Sequence, residues 1–349
     1  MHCKAPIKGL TINVNGRIRM CCTDDETLHM NVPISEVDDL YKFFHSNYMF
    51  KIRQTMESQG LDYPACWMCK KTTARDVMSS YNQRFQPHDN TVELEYLELS
   101  ASNTCTQSCA MCIPQFSSSL TKLHNKHQNI KYKNWSMSEA DVEKVLKIIP
   151  QLKILFLKGG EPFADKNNIK FLKAVRPSTK LKITSNGHNI SEDFLNIINN
   201  MSNDLLITFS IDGSDEIYDW VRGDDYDDVM WNIQEFYAKT KREYNIFQSL
   251  TAFTLPTYQE DTKKHSDLVG CANVDHNSIV EEYSSPKMYP QYYLDKFNLG
   301  LQTYSDEYKR ELAPKWKWKI DMFNAHRGFD IRDHVPELEM IEKELERVK

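Results

Sequence analysis

The most informative stretch of the chain runs Ser100-Ala101-Ser102-Asn103-Thr104-Cys105-Thr106-Gln107-Ser108-Cys109-Ala110-Met111-Cys112. Its three thiols, separated by three and then two residues, can converge on one soft metal centre, because thiolates select zinc, copper(I) or iron–sulfur units. A four-iron, four-sulfur cube takes one ligand per iron. Three cysteines leave one iron open to a reactant, as a catalytic zinc keeps one open position. A structural zinc completed by His124 or Cys271 is the other reading of the same spacing.

The loop follows an apolar run, Val92–Ser100, that reads as a β-strand. Beyond it strands and helices alternate. Further strand candidates are Leu152–Leu157, Leu181–Thr184, Leu205–Ile211, Phe247–Phe253 and Ser278–Glu282. The clearest helix is Ser136–Ile149, with Ser136 and Glu139 as a capping box and Val142, Val145, Leu146 and Ile149 on one face. Strands joined by helical crossovers predict an α/β fold with a parallel sheet, curled by right-handed crossovers into a partial (β/α)6 TIM-like barrel. An open doubly wound sheet is compatible with the same periodicity.

Residues 1–90 differ in character. Leu10–Val14 alternates, Asn15-Gly16 marks a tight turn, and Arg17–Met20 leads into Cys21, which together predict a hairpin. A helix from Ser35 to Ser58, capped by Ser35 and ended by Gly60, precedes the knuckle Pro64-Ala65-Cys66-Trp67-Met68-Cys69. Tyr81–Asn90 reads as a linker. The expected organisation is a small cysteine-rich α+β module over 1–90, the barrel over 91–285, and a helical carboxy-terminal extension over 286–349, broken at Pro314 and Pro336.

The 349 residues are 40% hydrophobic, enough for a sizeable core, and 43 Lys and Arg against 49 Asp and Glu leave a net charge of −6. That balance disfavours nucleic acid as a partner. No apolar run reaches the roughly 18 residues of a membrane span, and Met1–Pro6 lacks the apolar stretch of a secretion signal, so a cytoplasmic setting is expected. Eight of the nine cysteines lie in the first 112 residues at ligand-like spacings, which in a reducing compartment points to metal before disulfide. Cys271, the ninth, reads as a small buried hydrophobe.

With Cys105, Cys109 and Cys112 placed after a first strand, the chain resembles the radical S-adenosylmethionine (radical SAM) superfamily. Other segments match in order: Lys158-Gly159-Gly160-Glu161-Pro162, Thr184-Ser185-Asn186-Gly187, Ser210-Ile211-Asp212-Gly213 and Val221-Arg222-Gly223. The resemblance implies that the three cysteines hold a catalytic 4Fe-4S cluster and that the other segments form a pocket for S-adenosylmethionine. Gly159 and Gly160 let the backbone approach the ligand. Glu161 accepts from its ammonium, Arg222 clamps a carboxylate, and Ser185, Asn186 and Ser210 supply polar contacts. Asp212 caps the next helix or orients Ser210, and pairing of Arg222 with Asp224 or Asp225 is the plain alternative to a ligand role. The tail segment His326-Arg327-Gly328-Phe329-Asp330 reads as packing, with His326 and His334 structural.

Cys3, Gly16 and Cys21, followed by Cys66 and Cys69, resemble the shortened SPASM-type auxiliary module called twitch, here ahead of the barrel. That resemblance implies a second 4Fe-4S cluster, with zinc as the alternative and Cys22 as the alternative to Cys21. The superfamily's chemistry is reductive cleavage of S-adenosylmethionine to methionine and a 5′-deoxyadenosyl radical, which abstracts hydrogen from a substrate. An electron donor such as flavodoxin or ferredoxin is implied, and a peptide side chain is the first substrate class. A small metabolite (a sugar or nucleoside-like compound) is the alternative, and a non-catalytic iron–sulfur electron-transfer or scaffold protein is the other class of function.

Overall fold

The computed structural model describes residues 3–21, 30–66, 69, 91–128, 131–278 and 282–349. Its strands are β1 (Gly9–Ile12), β2 (Arg17–Arg19), β3 (Val32–Pro33), β4 (Tyr96–Leu99), β5 (Ile154–Leu157), β6 (Lys180–Ser185), β7 (Leu205–Ser210), β8 (Tyr244–Leu250) and β9 (Cys271–Ser278). The helices used below are α1 (Leu40–Phe44), α2 (Asn47–Gln59), α3 (Ser118–His127), α4 (Glu139–Ile148), α5 (Asn167–Ala174), α6 (Glu192–Asn200), α7 (Asp215–Arg222), α8 (Tyr226–Thr240), α9 (Tyr258–Ser266), α10 (Asp306–Arg327) and α11 (Leu338–Arg347). The chain divides into two compact units, one of Met1–Thr104, Asn134–Ile183 and Asn196–Leu206, the other of Cys105–Lys133, Thr184–Leu195 and Ile207–Lys349.

In the first unit the strand order is β3-β2-β1-β4-β5-β6. The predicted hairpin is present, with Thr11 opposite Arg19, but it does not stand apart. β1 runs parallel to β4, Gly9 opposite Tyr96 through Ile12 opposite Leu99, and β4 runs parallel to β5. Flanked on both sides, β4 is buried at every position, which is why Tyr96-Leu97-Glu98-Leu99 reads as a nearly continuous apolar run. The amino-terminal segment therefore shares the sheet of the first unit through β1.

The long helix expected from Ser35 is two helices. Asp39 caps α1 by accepting from the Lys42 amide, and Ser46 caps α2 by accepting from Met49. Gly60 does end α2, at φ +59°. The cap of α4 is Ser138, which accepts from Asp141 N at 3.2 Å and donates to Asp141 Oδ2 at 2.7 Å. Ser136 is instead engaged in a bridge with Ser102. The predicted linker, Tyr81–Asn90, and Cys22 lie outside the described residues.

In the second unit β7, β8 and β9 are parallel. The last strand, Cys271–Ser278, is a polar run with little apolar signal; of the strand expected over Ser278–Glu282, residues 279–281 lie outside the described residues. α10 passes through Pro314 without breaking. Its buried Trp316, Ile320 and Phe323, with Ile331, Leu338 and Ile341, share one apolar cluster with Trp220, Phe253, Tyr283 and Ala110. The Phe253 and Trp316 rings stack at 5.7 Å. The architecture is an α/β partial barrel with an amino-terminal α+β segment and a helical carboxy-terminal tail.

Candidate active site

The cysteine loop is shaped by its own neighbours in sequence. Ser117 caps α3 by accepting from Leu120 N and donates its hydroxyl to Gln107 O at 2.6 Å. Ser119 donates to Cys105 O at 2.8 Å, and Ser118 Oγ accepts from Cys105 N at 3.1 Å. Ala110 N donates to Val221 O at 2.7 Å, while the Tyr283 hydroxyl donates to Ala110 O. Cys109 is buried, and Cys105 and Cys112 are half-buried. Burial pushes the Cys112 thiol well above its ordinary value, and the neighbouring Cys109 and Cys105 push it the same way.

Two side chains donate to those sulfurs. Arg222 Nη1 reaches Cys109 Sγ at 3.7 Å, and Asn186 Nδ2 reaches Cys105 Sγ at 3.9 Å while also donating to Thr106 Oγ1 at 3.1 Å. Soft thiolate donors with N–H groups aimed at them fit an iron–sulfur cluster, whose electronics are tuned by such hydrogen bonds. Arg222 Nη2 pairs with Asp212 Oδ2 at 2.5 Å, and Asp212 Oδ1 accepts from Ser249 N at 2.5 Å. Burial works against the guanidinium's charge, but the Asp212 carboxylate beside it keeps it protonated. Arg222 Nε is buried with no hydrogen-bond partner among the described residues. The partner of Arg222 is therefore Asp212, ten residues upstream, and Asp212 does not cap α7, where Ser214 occupies the cap position.

Ser185 closes β6 and accepts from Gly187 N at 3.0 Å. Ser210 ends β7, half-buried and opposite Phe247. Asp224, weighed above only as a partner for Arg222, completes this part of the site with two residues that sequence reading passed over, His188 and Gln107. His188 Nδ1 meets Asp224 Oδ2 at 2.5 Å, and Gln107 Nε2 donates to the same oxygen at 2.9 Å and to Tyr218 OH at 3.1 Å. A half-buried carboxylate thus orients a half-exposed imidazole. The signal for them was adjacency. His188 and Asp224 each follow a turn glycine of a matched segment, and Gln107 lies between two cysteines.

In the first unit, Gly159 and Gly160 have φ of +83° and +29°. A Cβ on Gly160 would run into the Thr104 carbonyl, and one on Gly159 into Ser100. Glu161 N donates to Thr104 O at 2.7 Å, and its buried carboxylate accepts from Phe163 N at 2.9 Å. Of the amino-terminal cysteines, Cys3 and Cys21 pack against the same patch of Ala5, Tyr96 and Ile154. Cys66 is buried and Cys69 half-buried. Among the described residues, no three His, Cys, Asp or Glu side chains stand as ligands around a single metal ion.

Residues 99–267 match the model of the Radical SAM superfamily. That stretch, just under half of the chain, is similar to a radical SAM catalytic domain. No curated protein matches the chain. Among solved structures, native anSMEcpe with bound AdoMet is similar at 16% identity and a TM-score of 0.42, covering 68% of this chain and 62% of that one. SuiB of Streptococcus suis bound to precursor peptide SuiA is similar at 13% identity and a TM-score of 0.41, covering 85% and 65%. A radical SAM methyltransferase from Sphaerobacter thermophilus gives 12% identity and a TM-score of 0.35, covering 65% and 62%. The chain spans less than two thirds of the length of these proteins. The SPASM-bearing relatives carry their auxiliary module after the barrel, so the reading of the amino-terminal segment as a twitch-like module is incorrect.

Proposed function

We propose that this radical SAM domain binds S-adenosylmethionine at a 4Fe-4S cluster held by Cys105, Cys109 and Cys112, and initiates reaction by abstracting hydrogen from a substrate. The observation that carries the reading is the three-thiol loop, met by N–H donors from Asn186 and Arg222, inside the stretch that matches the superfamily. When bound, the cluster supplies the electron that splits the sulfonium into methionine and a 5′-deoxyadenosyl radical.

The chain's own residues bind, orient and exclude. Arg222, held charged by Asp212, donates to Cys109 and keeps Nε available to a further acceptor. Asn186, Ser185 and Ser210 present polar groups at strand ends, the face on which barrels of this kind place their chemistry. Gly159-Gly160 admits a ligand close to the backbone, and Glu161 is the acceptor for its ammonium.

A peptide side chain stands first as substrate class, on the superfamily resemblance alone, and a small metabolite second. Flavodoxin or ferredoxin as electron donor and a cytoplasmic setting belong to the same reading. Among the described residues, no helix is long and apolar enough to cross a membrane. A second metal centre on Cys3, Cys21, Cys66 and Cys69, 4Fe-4S or zinc, is proposed on the shared packing of Cys3 and Cys21, without kinship to an auxiliary module.

Anaerobic reconstitution tests the proposal. Iron and sulfide should be taken up, and reduced protein should convert S-adenosylmethionine to 5′-deoxyadenosine. Cys105→Ala, Cys109→Ala and Cys112→Ala should each abolish that product. Product at the wild-type level from any of them would remove the cluster assignment.

A further inference from the structure

The end of α7 shares its unpaired carbonyls with two other parts of the second unit. The last four C=O groups of a helix have no partner inside it. In α7, Asp219 O accepts from Gly223 N at 2.9 Å, the usual closure by a left-handed glycine. Val221 O accepts from Ala110 N of the cysteine loop at 2.7 Å. Trp220 O accepts from Arg327 Nε, at the last turn of α10, at 3.1 Å. The same guanidinium extends two further N–H groups to the cysteine loop: Nη1 to Ser108 Oγ at 2.9 Å and Nη2 to Ser108 O at 2.7 Å.

Ser108 directly precedes Cys109, and Trp220 lies two residues before Arg222, which donates to Cys109 Sγ. Arg327 thus braces the two elements that grip one sulfur. Its seat is closely fitted, since a Cβ on Gly223 would strike the guanidinium, and α10 is fixed there by Asn324 Oδ1 accepting from Trp220 Nε1 at 2.7 Å. A lysine has one ammonium centre in place of this planar fork and cannot serve a hydroxyl and two carbonyls on separate segments with the same geometry.

We infer that Arg327, from the carboxy-terminal extension, is a positioning residue for the cluster loop, setting Cys109 for its iron and placing a fixed positive charge beside it. The inference rests on the radical SAM reading of that loop. A cluster gains negative charge on reduction, so a nearby guanidinium raises its reduction potential, and hydrogen bonds that orient a ligand strengthen the metal site. His326, at 3.5 Å from Ser108 Oγ, is too exposed and too distant to replace the fork.

The test compares full-length wild type, R327M and R327K after anaerobic reconstitution with ferrous iron and sulfide, using protein that shows wild-type far-ultraviolet circular dichroism. R327M should bind iron in the loop about tenfold more weakly, and whatever cluster forms should have a more negative midpoint potential by electron paramagnetic resonance titration. R327K should recover the potential but only part of the iron affinity. In the metal-free proteins, amide exchange over residues 105–112 should be faster in both variants than in wild type. If R327M does not fold, R327K decides through iron affinity and exchange. Wild-type affinity, potential and exchange in the folded variants would overturn the inference. A wild-type chain that takes up no iron or sulfide in this loop would instead overturn the radical SAM reading, and the exchange comparison would still decide whether Arg327 braces it.

Discussion

Asp212 and Arg222 form a buried ion pair at 2.5 Å, and a buried charge that loses its partner is costly. Asp212→Ala should lower stability by about 3–5 kcal/mol in urea unfolding of the metal-free chain, whereas the double replacement of both residues by neutral ones should cost less than the sum of the single changes. Gly160→Ala combines φ +29° with a collision at the Thr104 carbonyl. It should cost at least about 1 kcal/mol by the same measurement, because strain at such a position has no flexible side chain to absorb it. His265 is buried between Tyr226 OH at 3.0 Å and Gln248 Nε2 at 2.6 Å, and burial lowers its pKa to about 4. The folded chain then binds that proton less readily than the unfolded chain, whose value is about 6.5. Its contribution is complete above pH 6.5 and is lost as pH falls toward about 4. Melting temperature against pH should fall through that window, and His265→Asn should flatten part of the slope. The three-cysteine loop could be singled out from sequence because ligand spacing is local. The partner of Arg222 was not, since seven aspartates lie within a dozen residues of it and only folding shows that Asp224 is taken by His188 and Asp225 by the start of α8.

The elements themselves were read with mixed success, for physical reasons. β4, β5, β6 and β7 lie within a few residues of their expected places because buried parallel strands concentrate apolar residues. β9 was not picked out because Cys271–Ser278 is largely polar and gives no such concentration. Helix starts failed where several capping residues stood together. Ser136 and Ser138 are both competent, and the bridge from Ser136 to Ser102 leaves the cap to Ser138. Ser138→Ala should therefore lower stability by about 1 kcal/mol in thermal or urea unfolding, and Ser136→Ala should not act through the cap. Pro314 was expected to break the tail and does not. The apolar face of α10, with Leu312, Trp316, Ile320 and Phe323 buried, outweighs the roughly 3 kcal/mol of an interior proline.

For the whole molecule, the α/β partial barrel followed from alternating strands and helices, while the integration of both ends did not. No periodicity in residues 9–12 reveals that β1 seeks β4, and no pattern in the tail announces Arg327. A chain shortened to end at residue 303 would strip Trp316, Ile320, Phe323, Ile331, Leu338 and Ile341 from the apolar cluster of the second unit. It should elute as aggregate on size exclusion and lack a cooperative melt, whereas a chain that stays monomeric and melts cooperatively would show the tail to be dispensable for folding.

The parallel pairing of β1 with β4 also has a cost during protein synthesis. Gly9 must meet Tyr96, eighty-seven positions further along, which at ribosomal speeds of about 5–20 residues per second is a wait of roughly 4–17 seconds. Throughout that interval Leu10 and Ile12, fully buried in the finished protein, have no strand on the β4 side to cover them. The nascent hairpin is thus a natural client for a chaperone at the tunnel exit, and slowing translation between codons 20 and 96 should increase its aggregation rather than its yield.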